Sequence, residues 1–178
     1  MQGQDVLFSS RNPNYQTPPS LYAALNREFL FTLDPATDSG NWLQTPKFYT
    51  RETHGLSQSW AGERFFLNPP FARKNRKKGI EGFPIEPWIE KSWKESLEGA
   101  TGALLVPARM DTKWFHRWVI GNAEEIRLIP HRVRFWLNGV ESESGAGFPS
   151  MIVVYRAPAG FIYRPTRVSV WDYLEDAA

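Results

Sequence analysis

No cysteine occurs anywhere in the 178 residues, so disulfide crosslinks and thiolate zinc sites are excluded. Histidine is nearly as scarce. His54, His116 and His131 are too scattered to make a metal-ligand set, and no metal is expected. No apolar stretch approaches the ~20 residues that a membrane-spanning helix needs, and the N-terminus carries no apolar signal region. A cytoplasmic location is expected. Net charge is also nearly absent: the formal value of +2 gives no global reason to expect a polyanionic partner. What the chain has in quantity is apolar surface. Hydrophobic residues make up 42% and aromatics 15%, enough for a folded core in one domain spanning 1–178.

Charge is concentrated locally. Arg73, Lys74, Arg76, Lys77 and Lys78 put five cations within six residues, directly after Asn68-Pro69-Pro70-Phe71. By itself such a run is most often a solvated face. The N-terminal 14 residues read as irregular. Thr17-Pro18-Pro19 then has the form of a helix start, Thr17 capping and Pro18 taking the first helical position. Leu21, Tyr22, Leu25 and Phe29 follow at helical spacing on one buried face. Phe29 to Asp34 (FLFTLD) reads as a buried strand ending at an acid, Lys47 to Glu52 as a short strand, and Arg64 to Asn68 as another. Pro87 opens a helix with Ile89, Trp93 and Leu97 on one face, and Gly102 to Ala108 is a strand covered on both sides. Asp111 or Thr112 caps a further helix through Trp114, Phe115, Trp118 and Val119. EIRLIP, RVRFW and SMIVVYR read as late strands, with a Gly/Ser/Glu-rich loop from Gly139 to Gly147. Strands alternating with helices early and paired strands late predict an α/β sheet with an antiparallel end.

Asn68-Pro69-Pro70-Phe71 carries the chemistry. Prolines fix φ and have no N–H, so this corner is stiff and rich in free carbonyls. At the carboxyl end of a strand, where open α/β sheets bind ligands, the Asn68 side-chain oxygen and the Pro69 carbonyl are two acceptors for one amino group. Holding both hydrogens turns the nitrogen lone pair out of conjugation and towards an electrophile. Phe71 offers a flat face on which a base can stack. The bland alternative is a strand that simply stops at two prolines.

The tetrapeptide resembles the Asp/Asn/Ser-Pro-Pro-aromatic motif of amino-methyltransferases, and the chain is similar to the phage-type DNA N6-adenine methyltransferase family. The similarity runs in the family's order through YQTPPSLYAAL, FTLDPATDSGN, GLSQSWAGERFFLNPPF, WIEKSW, LLVPARMDTKWFH, HRVRF and FPSMIVVY. It implies a Rossmann-like, S-adenosylmethionine-dependent fold and methyl transfer to the amino group of a flipped adenine. It further implies catalytic roles for Asn68, Pro69, Pro70 and Phe71, and cofactor contacts from Thr17, Pro18, Asp34, Ala36, Glu52 and Asn68. DNA is the implied partner, contacted by Arg73, Lys74, Arg76, Lys77, Lys78, Arg109 and Arg132. Arg109 pairing with Asp111 to anchor a loop is an equal alternative, as is simple exposure for Arg132 and Arg134. One departure from the usual methyltransferase pattern is that DPATDSGN contributes only Gly40 where a glycine-rich loop is common. With little chain for a separate recognition domain, recognition is expected in the loops Ala72–Pro84 and Gly139–Gly147, with a short target sequence. A role in shielding phage DNA from restriction, in the host cytoplasm, is the biological setting the resemblance suggests. Guanine in RNA or glutamine in protein are alternative targets, and an inactive DNA-binding relative is the alternative outside enzymes.

Overall fold

The computed structural model describes residues 15–71, 83–157 and 165–175. The cluster Arg73, Lys74, Arg76, Lys77 and Lys78 lies outside the described residues, as does the N-terminal segment 1–14. Ten strands are described: β1 (Tyr15–Gln16), β2 (Leu33–Asp34), β3 (Lys47–Phe48), β4 (Arg64–Leu67), β5 (Thr101–Pro107), β6 (Glu125–Leu128), β7 (Trp136–Leu137), β8 (Val140–Glu141), β9 (Ser150–Tyr155) and β10 (Arg167–Val170). Two α-helices accompany them, α1 (Pro19–Phe29) and α2 (Glu86–Leu97).

Seven strands form one sheet in the order β10-β6-β9-β5-β4-β2-β3. All are parallel to one another except β9, which runs against both β5 and β6. The fold is thus the expected α/β class with a mostly parallel sheet, its antiparallel strand placed between β5 and β6. Buried on both faces, β5 and β9 are the apolar runs a covered centre requires. On one face α1 packs Leu21, Leu25 and Phe29 with Phe66, Ala103, Leu105 and Ile152. On the other, Ile89 of α2 joins Phe65, Leu67, Leu104, Val106 and Val153.

Several local expectations are corrected. Helix α1 begins one residue later than read: Pro18 occupies the cap and Pro19 the first turn, with no side-chain cap, so Thr17 does not cap. Its far end runs through Phe29 into Leu30, whose left-handed φ of 51° closes the helix, so only Leu33–Asp34 of FLFTLD is strand. Lys47–Phe48 alone is strand in the segment up to Glu52, where the chain turns. Along α2 the buried stripe is Ile89, Ser92 and Ser96, while Leu97 is exposed. Both serines donate their hydroxyls to carbonyls of their own helix, Ser92 to Trp88 at 2.8 Å and Ser96 to Trp93 at 2.6 Å, which satisfies them in the core. After β5 the expected α-helix is a π-helical turn, Phe115–Val119; its wider spacing accompanies the burial of Trp114, Phe115 and Val119 together. RVRFW does not join the main sheet. Its last residue, Trp136, belongs to β7, while the rest runs extended beside the irregular segment 142–146, with Ala146 N–H bonded to Val133 O (2.8 Å) and Ser142 N–H to Phe135 O (2.9 Å). The 139–147 loop itself opens as a hairpin, and β1, β7 and β8 make a second, three-stranded sheet. Edge strand β10, exposed along its length, is not foreseen from the sequence.

Candidate active site

The chain leaves β2 for β3 on one side, then returns as β4 on the other. Such a switch point opens a crevice at the carboxyl ends of the two diverging strands. Asp34 ends β2 and Asn68 follows β4, so both sit at this crevice. Register and packing place them on one face. Leu33 lies opposite Phe65, which sets Asp34 level with Phe66, and Asn68, just past the end of β4, reaches Tyr15, which packs against the same cluster as Phe66. Their shared face is the one that α1 covers, since Phe66 packs with Leu21 and Leu25.

Asp34 is 5% exposed. Its Oδ1 accepts the Ala36 N–H at 3.0 Å, and its carbonyl accepts the Tyr49 N–H at 2.9 Å. Burial pushes its carboxyl up from 3.8 to about 7; the Ala36 bond opposes the rise, and the charge of Asp38 adds to it. Among the described residues no cation is paired with this carboxylate. The α-ammonium and sulfonium of S-adenosylmethionine are cations of suitable chemistry, so Asp34 fits the cofactor the resemblance implies.

Asn68 is oriented from far along the chain. Its Nδ2 donates to the Tyr15 carbonyl at 3.3 Å. Only the amide nitrogen can face a carbonyl, so Oδ1 is the group left for accepting a donor. Tyr15 in turn pairs with Leu137 across β1 and β7, which ties the Asn68 rotamer to the small sheet. Pro69 is buried and Pro70 exposed. Phe71 is 36% exposed, and its ring meets that of Phe148 edge-on, centroids 5.6 Å apart at 63°.

The remaining expected residues are distributed as follows. Thr17 and Pro18 are buried, and the Thr17 carbonyl accepts the Trp42 indole N–H at 3.0 Å, pinning the loop after β2 to the start of α1. Ala36 is half-buried beside Asp34. Glu52 is exposed beyond β3, and its carboxylate accepts the Thr50 hydroxyl at 2.6 Å, which holds its pKa below the usual range. Arg109, beyond β5, lies 3.7 Å from Asp111, so the loop-anchoring pair is present. Arg132 is exposed beyond β6.

Three contributors escape the sequence reading. Tyr22 of α1 stands edge-on to Phe66 at 5.4 Å, and its hydroxyl is pushed up to about 12 by burial and by the charge of Asp34, which places it beside the crevice. Phe148 forms a wall beside Phe71. Gly55 packs beneath the loop after β2, where a Cβ would lie 2.0 Å from the Pro35 carbonyl oxygen. The close approach that a glycine-rich loop normally permits is supplied here from a different segment.

Comparison with known proteins agrees with this architecture. A crystal structure from Listeria monocytogenes, of a protein assigned to the class I S-adenosylmethionine-dependent methyltransferases, superposes with a TM-score of 0.54 at 13% identity. The match covers 92% of this chain and 68% of that one and shows a common fold. No curated protein sequence matches the chain. The model of the DNA N-6-adenine-methyltransferase (Dam) family matches residues 6–176, nearly the whole length, and the chain belongs to that family.

Proposed function

We propose that this enzyme methylates an adenine flipped out of the DNA helix, with Asn68, Pro69, Pro70 and Phe71 as the residues that hold the base. Family membership makes the reaction methyl transfer to N6 of adenine in DNA and the cofactor S-adenosylmethionine. Guanine in RNA and glutamine in protein are thereby set aside as targets, and the intact Asn68–Phe71 corner argues against an inactive relative. The observation that carries the residue roles is the Asn68 amide, tied by its nitrogen to Tyr15 and so presenting its oxygen on the same face as Asp34.

In this reading one N6 hydrogen is donated to Asn68 Oδ1 and the other to the Pro69 carbonyl. The N6 lone pair is then withdrawn from the ring and turned towards the crevice. When bound, S-adenosylmethionine supplies an electrophilic methyl carbon on a sulfonium. Asp34 holds the cationic part of the cofactor, Thr17, Pro18 and Ala36 form its floor, and Glu52 takes the ribose hydroxyls, as acids beyond a neighbouring strand do in dinucleotide folds. Flipping costs a few kcal/mol, and stacking on Phe71, worth roughly 1–3 kcal/mol, offsets much of it. Arg73, Lys74, Arg76, Lys77, Lys78, Arg109 and Arg132 contact phosphates. Protection of phage DNA from restriction in the host cytoplasm is the setting that fits this activity.

The test is transfer of labelled methyl groups to unmethylated DNA followed by nucleoside analysis. Label in N6-methyladenine, lost in Asn68→Ala, is the expected result. Label confined to RNA or protein would overturn the reading.

A further inference from the structure

The outermost strand of the large sheet, β10, pairs on one side only, with β6. Arg167 N–H donates to Glu124 O at 3.0 Å and Trp171 N–H to Leu128 O at 2.9 Å, so the backbone groups of residues 167, 169 and 171 turn towards β6. By the alternation of a parallel strand, the N–H and C=O of Val168 and Val170 turn outwards, where no described strand lies beside them. The opposite edge of the sheet is made differently. There β3 is two residues long and opens with Lys47, both devices that discourage pairing with another chain. In contrast, β10 holds no proline, no lysine and no bulge.

Its side chains repeat the contrast. Val168 lies level with Ile126 and Val170 with Leu128, so both valines continue the sheet face that α2 covers. At β10 that cover has ended: Val168 is 58% exposed and Val170 70%. Ile120, 40% exposed, is held near the start of the strand because Gly121 N–H donates to Thr166 Oγ1 at 2.9 Å. Charge is divided along the strand. Arg167 opens it, leaning on Glu124 at 3.2 Å, and the acids Asp172 and Glu175 follow its end.

These features are self-complementary. A two-fold axis at Ser169 sets Val168 of one copy opposite Val170 of another in an antiparallel pair, and Val170 opposite Val168. The outward N–H groups of each copy then donate to the outward carbonyls of the other. The valines of both copies meet as one apolar strip with Ile120 at each end, and each Arg167 comes against the acidic end of the other strand. We infer that the β10 edge is the interface of a homodimer, joined by antiparallel pairing of the two β10 strands about Ser169. The two large sheets run on as one. An axis normal to the sheet reverses strand direction, so the carboxyl ends of β2 and β4 point opposite ways in the two copies. Each crevice stays open and serves its own stretch of substrate. The pairing does not depend on what the crevice methylates. A contact between strands of four residues belongs at the weak end of specific interfaces, below about 1,200 Å2 in total, so the dimer dissociates on dilution.

Sedimentation velocity of the full chain over a wide concentration range tests the dimer, and two kinds of variant test its geometry. Val170→Pro removes an outward N–H and leaves the inward bond from Trp171 in place, so it should sediment as a monomer where the parent is dimeric. Val168→Lys, which puts a charge into the apolar strip, should do the same. Ser169→Cys reads the register, because the chain has no cysteine of its own. Position 169 would face its own copy as a non-hydrogen-bonded pair with Cα atoms about 4.5 Å apart, within disulfide reach. Mild oxidation should therefore give a covalent dimer. Val168→Cys, offset from its own copy by two residues, should not cross-link. All three positions are exposed, and circular dichroism with methyl transfer at the parent's rate shows that each variant is folded. A parent that stays monomeric at every concentration, a dimer indifferent to Val170→Pro, or equal cross-linking through positions 168 and 169 would overturn the inference. None of these outcomes touches the methylation reading, which labelled transfer tests separately.

Discussion

In its proposed role, Asp34 links cofactor binding to pH. With its carboxyl raised from 3.8 to about 7 by burial, the folded, unliganded protein binds more protons than the unfolded chain between those values. Stability without cofactor therefore falls as pH rises through this window, and the loss is complete above about 7. The difference corresponds to about 4 kcal/mol. A cation beside the carboxylate reverses the sign, because it favours the ionised form. Binding below pH 7 must then expel a proton from Asp34, and affinity should fall about tenfold for each pH unit below 7. Titration calorimetry of S-adenosylmethionine at pH 6, in two buffers of different ionisation enthalpy, should show close to one proton released per site. Asp34→Asn keeps the acceptor for the Ala36 N–H but cannot carry charge. It should bind roughly 10- to 150-fold more weakly at pH 8, as loss of a charged hydrogen bond implies, and show no pH slope. Unliganded, the variant should melt several degrees higher than the parent at pH 8. A variant with the parent's affinity and slope, or a parent without proton release at pH 6, would refute the assignment of Asp34 to the cation.

Asn68→Ala should lower turnover by about 10²–10³ while leaving cofactor affinity nearly intact, because the lost acceptor acts only on the adenine amino group; single-turnover kinetics with calorimetry separates the two. Gly55→Ala must displace the Pro35 carbonyl, and a destabilisation of about 1–3 kcal/mol with weaker cofactor binding is expected from thermal melts with and without cofactor. Replacing Lys74, Lys77 and Lys78 with Gln should flatten the slope of log DNA affinity against log salt by up to about three, since each phosphate contact contributes about 0.9 on duplex DNA. Parallel lines at equal affinity would return those lysines to a solvated charge run.

The residues proposed to carry chemistry are legible in the sequence because they coincide with its punctuation. Two prolines and an aromatic ring end β4, an acid and a proline end β2, and long apolar runs mark β5 and β9 as central. Boundaries inside apolar stretches are not legible. Phe29, Leu30 and Phe31 suit a helix and a strand equally, and tertiary packing decides: Phe29 stacks on Phe31 at 5.4 Å while Leu30 turns left-handed between them. The same limit explains Ser92 and Ser96, whose polarity argues for exposure until their hydroxyls find carbonyls of their own helix.

What orients the site is the least legible part, for a physical reason. The partner of Asn68 is a backbone carbonyl 53 residues away, and a carbonyl is present whatever side chain position 15 carries. Gly55 is equally silent: only its contact with Pro35 shows that it, and not Gly40, gives the loop after β2 its close approach. A thin glycine count in that loop therefore does not weaken the case for a cofactor site, because the requirement is for one missing Cβ at one point in space. The same logic bears on the small sheet. Its strands are two residues each, too short to announce themselves by period, yet they join Asn68 to Glu141 through successive backbone pairings. A substitution that loosens this hairpin, such as loss of the Gln16 side chain that accepts the Gly139 N–H at 2.9 Å, should act on turnover through Asn68 without touching the cofactor. Gln16→Ala should accordingly lower kcat and leave S-adenosylmethionine affinity unchanged; an unaltered kcat would mean that the Asn68 rotamer is held by the proline corner alone.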